Sequence, residues 1–331
     1  MKTQMLKINA ESLLLASKLI NNGEIVAFPT ETVYGLGANV FCEDAIAKIY
    51  VAKGRPNDNP LIVHISDKSM LRLVARDISQ LAQKIFDNFM PSSLTVVLNK
   101  LPTVPDSVTA NLPTVAVRLP RSQEARQFIS ACNVPICAPS ANTSTRPSPT
   151  SAQTVYDDMQ GKIPLILWGE DCQVGIESTV LSLVDQPTIL RPGIVTRSEI
   201  ERLLGVPVAV STLATGAVHS PGVKYLHYAP LCPTIMFETT STEIVKIHYQ
   251  QHLKDNPVIL CARQYLQDFL GFNCLDLGGS EEEIAHNYFS SVRLAEKDYG
   301  YIIQMFCGDS ELAYSIKNRM TKSVNGNIIT K

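Results

Sequence analysis

Between Glu24 and His64 the chain sets out an α/β unit whose strand ends are polar. An apolar run, Ile25 to Phe28, stops at Pro29 and opens into Thr30, Thr32, Tyr34, Gly35 and Gly37. A short helical pattern follows and ends on two cations, Lys53 and Arg55, before a second apolar run closes on His64. Strand ends that carry hydroxyls close to paired cations describe an anion-handling pocket, and ligands of open α/β sheets sit beyond the strand ends.

The same reading extends along the chain. Residues 10–22 form a helical pattern stopped by Gly23. Strands are predicted at 24–28, 61–65, 94–99, 114–119, 134–138, 164–168, 179–184 and 188–191, and helices at 44–53, 69–75, 78–88, 122–131, 150–159 and 197–204. Strands that follow one another without a helix, as over 179–191, predict a twisted, open mixed sheet with flanking helices and not a purely parallel one. After Val206 the texture changes. Residues 207–231 hold small residues, Gly and Pro with no helical period, the pattern of a linker or lid. From Thr234 strands and helices alternate again, with helices at 241–253, 263–270, 281–296 and near 310–320, which predicts a small C-terminal α/β domain. The division is a catalytic domain at 1–206, a linker or lid at 207–231 and a C-terminal domain at 232–331.

Composition excludes several classes. Hydrophobic residues make up 45% of the 331 and charged residues 18%, which describes a well-buried globular chain. A net charge of −2 provides no global field for a nucleic acid, so any such contact needs a local patch. The 8 cysteines are irregularly spaced, with no CxxC pair and no zinc spacing, and read as reduced cytosolic thiols. The run Leu13–Leu15 is interrupted by charges, and no stretch nears the roughly 20 apolar residues that span a bilayer. The expectation is a cytoplasmic protein with no membrane partner.

Lys53 and Arg55 repel unless an anion or carboxylate lies between them, and a guanidinium suits phosphate; a solvated helix C-terminus also favours cations. Pro139-Ser140-Ala141-Asn142 follows an apolar strand, so hydroxyl and amide groups are aimed past a strand end, or the segment is a polar turn with a helix cap near Ser148 or Thr150. Arg118 is a cation inside the strand pattern TVAVRLP, and either a ligand carboxylate or an internal Asp/Glu would satisfy it. There is no GxxxxGK[ST] loop, and Gly35-Leu36-Gly37 lacks the third glycine of a dinucleotide fingerprint. Hydroxyls, amides and cations with few general bases suit chemistry driven by positioning and charge stabilisation, such as phosphoryl or nucleotidyl transfer.

In order, PTETVYGLG, KGRP, NPLIVHI, TVAVRLP, PSAN, GIESTV, ILRPG and SPGVKYLHYAP resemble threonylcarbamoyl-AMP synthase of the YrdC type in its two-domain form. The resemblance implies a YrdC-like sheet followed by a Rossmann-like C-terminal domain. It implies condensation of L-threonine, bicarbonate and ATP, with Mg²⁺, to threonylcarbamoyl-AMP and pyrophosphate. A separate complex would then carry the threonylcarbamoyl group to tRNA, and a direct tRNA contact is open. Matched residue by residue, Lys53 and Arg55 are implied as catalytic. Arg55, Asn59, Thr114, Ser140, Asn142, Ser148, Arg191, Tyr228 and Tyr225 would contact ATP. Thr32, His64, Arg118, the backbone at Ala138, and Ser178 would contact threonine. Trp168-Gly169-Glu170-Asp171 departs from the Asp-Gly-Gly turn common in the family, and Val223 stands where Met is frequent. The rival from another class is an RNA-binding module of the same fold without catalysis.

Overall fold

The computed structural model describes residues 2–211 and 227–330. Tyr225 and most of the segment read as a linker lie outside the described residues. The chain divides into two compact units. The first takes in the chain up to Ser144, Pro149–Gln173 and the chain from Glu177; the second takes in Thr145–Ser148, Val174–Ile176 and the C-terminal residues.

In the first unit the elements are β1 (Gln4–Lys7), α1 (Ala10–Asn21), β2 (Val26–Phe28), β3 (Gly35–Asn39), α2 (Glu43–Lys53), β4 (Ile62–His64), β5 (Ala75–Arg76), α3 (Gln80–Asn88), β6 (Leu94–Lys100), α4 (Asp106–Thr109), β7 (Thr114–Arg118), α5 (Gln123–Cys132), β8 (Ile136–Ala138), α6 (Ala152–Met159), β9 (Leu165–Trp168), β10 (Thr179–Ser182), β11 (Thr188–Arg191), α7 (Arg197–Leu204) and β12 (Ala209–Val210). They build a 12-stranded mixed sheet in the order β1-β9-β2-β3-β8-β4-β7-β6-β10-β11-β12, with β5 on β6. Parallel pairs such as β4 with β7 stand beside antiparallel ones such as β6 with β7, as consecutive strands without intervening helices require.

Helix ends follow local chemistry. Asn9 and Ser12 form a capping box on α1, and Thr196 and Glu199 form one on α7, which satisfies amide groups the first turn leaves open. Helix α2 stops at Gly54, whose φ of 62° is left-handed. The Gly54 amide returns to the Val51 carbonyl and the Arg55 amide to Tyr50 at 3.1 Å, a Schellman ending that turns Arg55 out of the helix line while Lys53 stays in it.

Several local expectations change. Gly35–Asn39, for which no strand is predicted, is a strand hairpinned on β2. A Cβ at Gly37 would come within 2.7 Å of Ile136 Cγ2 and 3.0 Å of the Phe28 ring. These glycines serve strand packing. Residues 69–75, expected as a helix, form a 3-10 helix over Lys68–Leu73 capped by Asp67. The cap of helix α6, expected near Ser148 or Thr150, is Ser151, next to Thr150. Ala209–Val210, inside the stretch read as structureless, pairs in parallel with β11 at the sheet edge, because a short apolar run suffices where one partner strand is open.

The second unit contains β13 (Thr234–Glu238), α8 (Thr242–Gln251), β14 (Pro257–Cys261), β15 (Cys274–Asp276), α9 (Glu281–Asp298), β16 (Tyr301–Met305), α10 (Glu311–Ser323) and β17 (Ile328–Thr330). Its sheet is parallel throughout, in the order β15-β14-β16-β13-β17, as alternating strands and helices predict. The helix expected at 263–270 is only a 3-10 turn at Arg263–Tyr265. Segment Thr145–Ser148 is anchored here: Arg146 pairs with Glu296, and Arg293 donates to the Pro147 carbonyl at 2.7 Å. Among the described residues no helix is long and apolar enough to cross a membrane.

Candidate functional site

Register places the site on one sheet face of the first unit. Directly paired residues of neighbouring strands share a face, and so do alternate residues of one strand. His64 at the end of β4 pairs with Arg118 at the end of β7, and Ile62 pairs with Ala116 and with Ala138 of β8. Thr114 lies on the Arg118 face of β7, and Val180, which follows Ser178 by two, pairs with Arg191. Ile62, Val97, Ala116 and Val180 form a small apolar floor. His64, Thr114, Arg118, Ala138 and Arg191 are thus gathered on one surface, with Ser178 on the lead into β10.

Arg118 is 3% exposed. Its Nη1 donates to Thr32 Oγ1 at 2.8 Å and its Nη2 to Glu31 Oε1 at 2.6 Å. Of the two partners open to this cation in the sequence, the internal carboxylate is the one present. Glu31 Oε1 also accepts from Ser93 Oγ at 3.0 Å, and Oε2 from the Ser122 amide at 3.1 Å. Burial works to raise the Glu31 pKa, but the Arg118 charge and these hydrogen bonds outweigh it and hold the carboxyl below its ordinary value. Arg118 Nε is buried without a hydrogen-bond partner. Thr30 and Glu31 also wall a cavity of about 430 Å³ together with Ser122, Gln123, Glu124 and Asp171.

His64 is buried, and its ring meets Phe28 edge-on at 5.8 Å. Burial, then the neighbouring Arg118 charge, push its pKa down to about 3. The imidazole is neutral at physiological pH, with Nδ1 3.1 Å from the Ile62 carbonyl.

Next along the sheet, Thr95 Oγ1 and Ser178 Oγ lie 2.8 Å apart. Arg191 brings Nε and Nη2 to the Ser178 carbonyl at 3.1 and 2.9 Å, and Nη2 to Ser178 Oγ at 3.2 Å. Ser93, just before β6, and Thr95, in β6, thereby connect one hydroxyl to the Glu31–Arg118 pair and the other to the Ser178–Arg191 pair.

Lys53 joins α2 to the loop after β8. It is 2% exposed, so it is not a solvated helix terminus. Its ammonium donates to the carbonyls of Ser140 at 2.5 Å and Asn142 at 2.6 Å, and Ser140 Oγ donates to Asn142 Oδ1 at 2.5 Å. In return the Lys53 carbonyl accepts from the Ser144 amide at 2.8 Å. Arg55, half-buried, reaches the Asn59 carbonyl at 3.1 Å. The Asn59 side chain is fully buried, and neither amide atom has a hydrogen-bond partner, a state that is costly without a bound group.

Two sequence-predicted residues group with the second unit. Ser148 is buried there, and the Tyr228 ring packs on Phe289 at 5.0 Å between centroids. Tyr225 lies outside the described residues. Sequence reasoning missed Glu31, Ser93 and Thr95. The available signal was the need of Arg118 for an acidic partner, but Glu31 is 87 positions away.

An open mixed sheet that gathers two buried arginines, Arg118 and Arg191, with their hydroxyl partners on one face defines an α/β protein with a polar candidate site on its sheet. The family model Sua5/yciO/yrdC, described as Telomere recombination, matches residues 18–193, and the model of the threonylcarbamoyl-AMP synthase C-terminal domain matches residues 195–324. The chain belongs to the Sua5/YciO/YrdC family and is similar end to end to its two-domain members. It is 37% identical to the threonylcarbamoyl-AMP synthase of Pyrococcus abyssi, over 98% of this chain and 97% of that protein. It is 38% identical to the Bacillus subtilis enzyme of the same name, over 99% and 97%. The crystal structure of P. abyssi Sua5 complexed with L-threonine superposes with a TM-score of 0.89 at 35% identity, covering 100% of this chain and 99% of that one.

Proposed function

We propose that this chain is an L-threonylcarbamoyladenylate synthase of the cytoplasm, which condenses L-threonine, bicarbonate and ATP for the N6-threonylcarbamoyladenosine modification of tRNA. The observation that carries the reading is the Arg118 guanidinium, fixed by Thr32 and Glu31 with Nε open, on a face shared with a neutral His64. An amino-acid carboxylate matches that open edge. Thr32, His64, Ser178 and the backbone at Ala138 line the threonine side. Arg55, Asn59, Thr114, Ser140, Asn142 and Arg191 take the nucleotide side.

The resemblance implies two steps. The deprotonated threonine amine attacks bicarbonate, water is lost, and a carbamate forms. A carbamate oxygen then attacks the ATP α-phosphate, and pyrophosphate leaves. Lys53 holds the Ser140–Asn142 loop in place, and Arg55 offsets phosphate charge. Mg²⁺, as the resemblance implies, would accompany ATP and share in offsetting phosphate charge. The product passes to a separate complex that modifies tRNA.

Pyrophosphate release is the test, with threonine, bicarbonate and ATP omitted one at a time. Release is expected only with all three. Release indifferent to threonine, or salt-dependent RNA affinity with no ATP turnover, overturns the reading and favours a binding module of the same fold.

A further inference from the structure

We infer that Glu31 is a positioning residue for the amino-acid carboxylate, acting through Arg118. The inference rests on the threonine site proposed above and goes beyond it, since Glu31 touches the guanidinium and not the substrate.

Geometry carries the argument. A guanidinium offers two forks, one between the terminal nitrogens and one between Nε and its neighbouring terminal nitrogen. In Arg118 the terminal fork is taken: Nη1 by Thr32 and Nη2 by Glu31. The side fork keeps Nε–H, which is buried and without a partner. A pair that served only to neutralise a buried cation would not need to leave a buried donor idle, because an idle donor costs stability. The contrast is Arg191 on the same face, whose Nε is satisfied by the Ser178 carbonyl at 3.1 Å.

Glu31 is itself held rigidly. Ser93, just before β6, and the Ser122 amide, at the cap of α5, each donate to one of its oxygens. Its side chain is 4% exposed, as is that of Arg118. Three elements therefore fix the carboxylate, and the carboxylate fixes the plane of the guanidinium. Preorganisation of this kind lowers the ordering cost that a bound carboxylate would otherwise meet.

The experiment compares wild type with Glu31→Gln, which keeps size and an acceptor oxygen but removes the charge. Binding of L-threonine and of threoninamide, which lacks the carboxylate, is measured by calorimetry. Wild type that binds no threonine overturns the threonine-site reading, and the inference falls with it. With wild type binding, the expected result for Glu31→Gln is about tenfold weaker threonine binding with threoninamide changed less than about twofold, and a raised KM for threonine with KM for ATP unchanged. Equal loss for both ligands, or no loss for threonine, overturns the role of Glu31 and leaves the threonine site standing. Ser93→Ala removes one bond to Glu31 without touching the ion pair, and it carries the test if Glu31→Gln does not fold. A roughly threefold loss confined to threonine supports the inference. Equal effects on both ligands, or none, overturn it.

Discussion

The two units handle charge at their strand ends in opposite ways. In the first, Arg118, Glu31, His64, Lys53, Asn59 and Arg191 are all buried, and Arg118 Nε and the Asn59 amide have capacity left over. Beyond the strand ends of the second, Arg263 pairs with Asp276 at 2.9 Å and with Glu283 at 3.1 Å. Those carboxylates then close on the Gly278 and Gly279 amides at 2.7 and 2.8 Å. Carboxyl ends of parallel strands are where α/β sheets bind ligands, yet this cluster is exposed and closed on its own partners. Buried polar groups with unfilled hydrogen bonds mark a place prepared for something else, whereas a solvated network that satisfies itself marks a surface.

The largest test of that contrast is to remove a cation from each unit. Arg118→Ala leaves Glu31 as a buried unpaired charge, so a loss of roughly 3–5 kcal/mol in denaturant unfolding is expected. Threonine-dependent pyrophosphate release should fall at least about a hundredfold, and Arg118→Lys should not restore it, because an ammonium lacks the fork. Arg263→Ala should leave both stability and turnover at wild-type values.

Next is pH. The folded His64 pKa, pushed down to about 3, lies below the unfolded value near 6.5. The unfolded chain therefore binds the proton first as pH falls. Stability is lost from about pH 6.5 down toward 3, by up to roughly 5 kcal/mol for this group. Urea titrations of wild type and His64→Asn across that range should show a shallower slope in the variant. For the same reason no His64 inflection is expected in turnover between pH 7 and 8.

A smaller effect is expected at the hydroxyl pair. Thr95→Val leaves Ser178 Oγ without its 2.8 Å partner, at a cost of about 1 kcal/mol in thermal unfolding. It should act on turnover only mildly, because Arg191 still holds the Ser178 carbonyl.

Much of this was legible in the linear chain. Apolar runs and their breaks gave most strands, helical patterns gave most helices, and the two sheet types followed from how strands and helices alternate. Short edge strands were not legible: β12 has two residues, and only its pairing with β11 makes it a strand. Lys53 was open to a solvated reading because the carbonyls it binds lie 87 and 89 positions on.

The sequence by itself determined the order of elements, the helix ending at Gly54 that separates Lys53 from Arg55, and the ordered motifs shared with the family, since each depends on neighbours along the chain. Only the tertiary structure decided what those residues face. It paired Arg118 with Glu31, made His64 neutral by burial, and set Ser93 and Thr95 as the bridge between the two buried cations of the sheet face. Burial and long-range register set charge states and partners, and neither can be read from spacing along the chain.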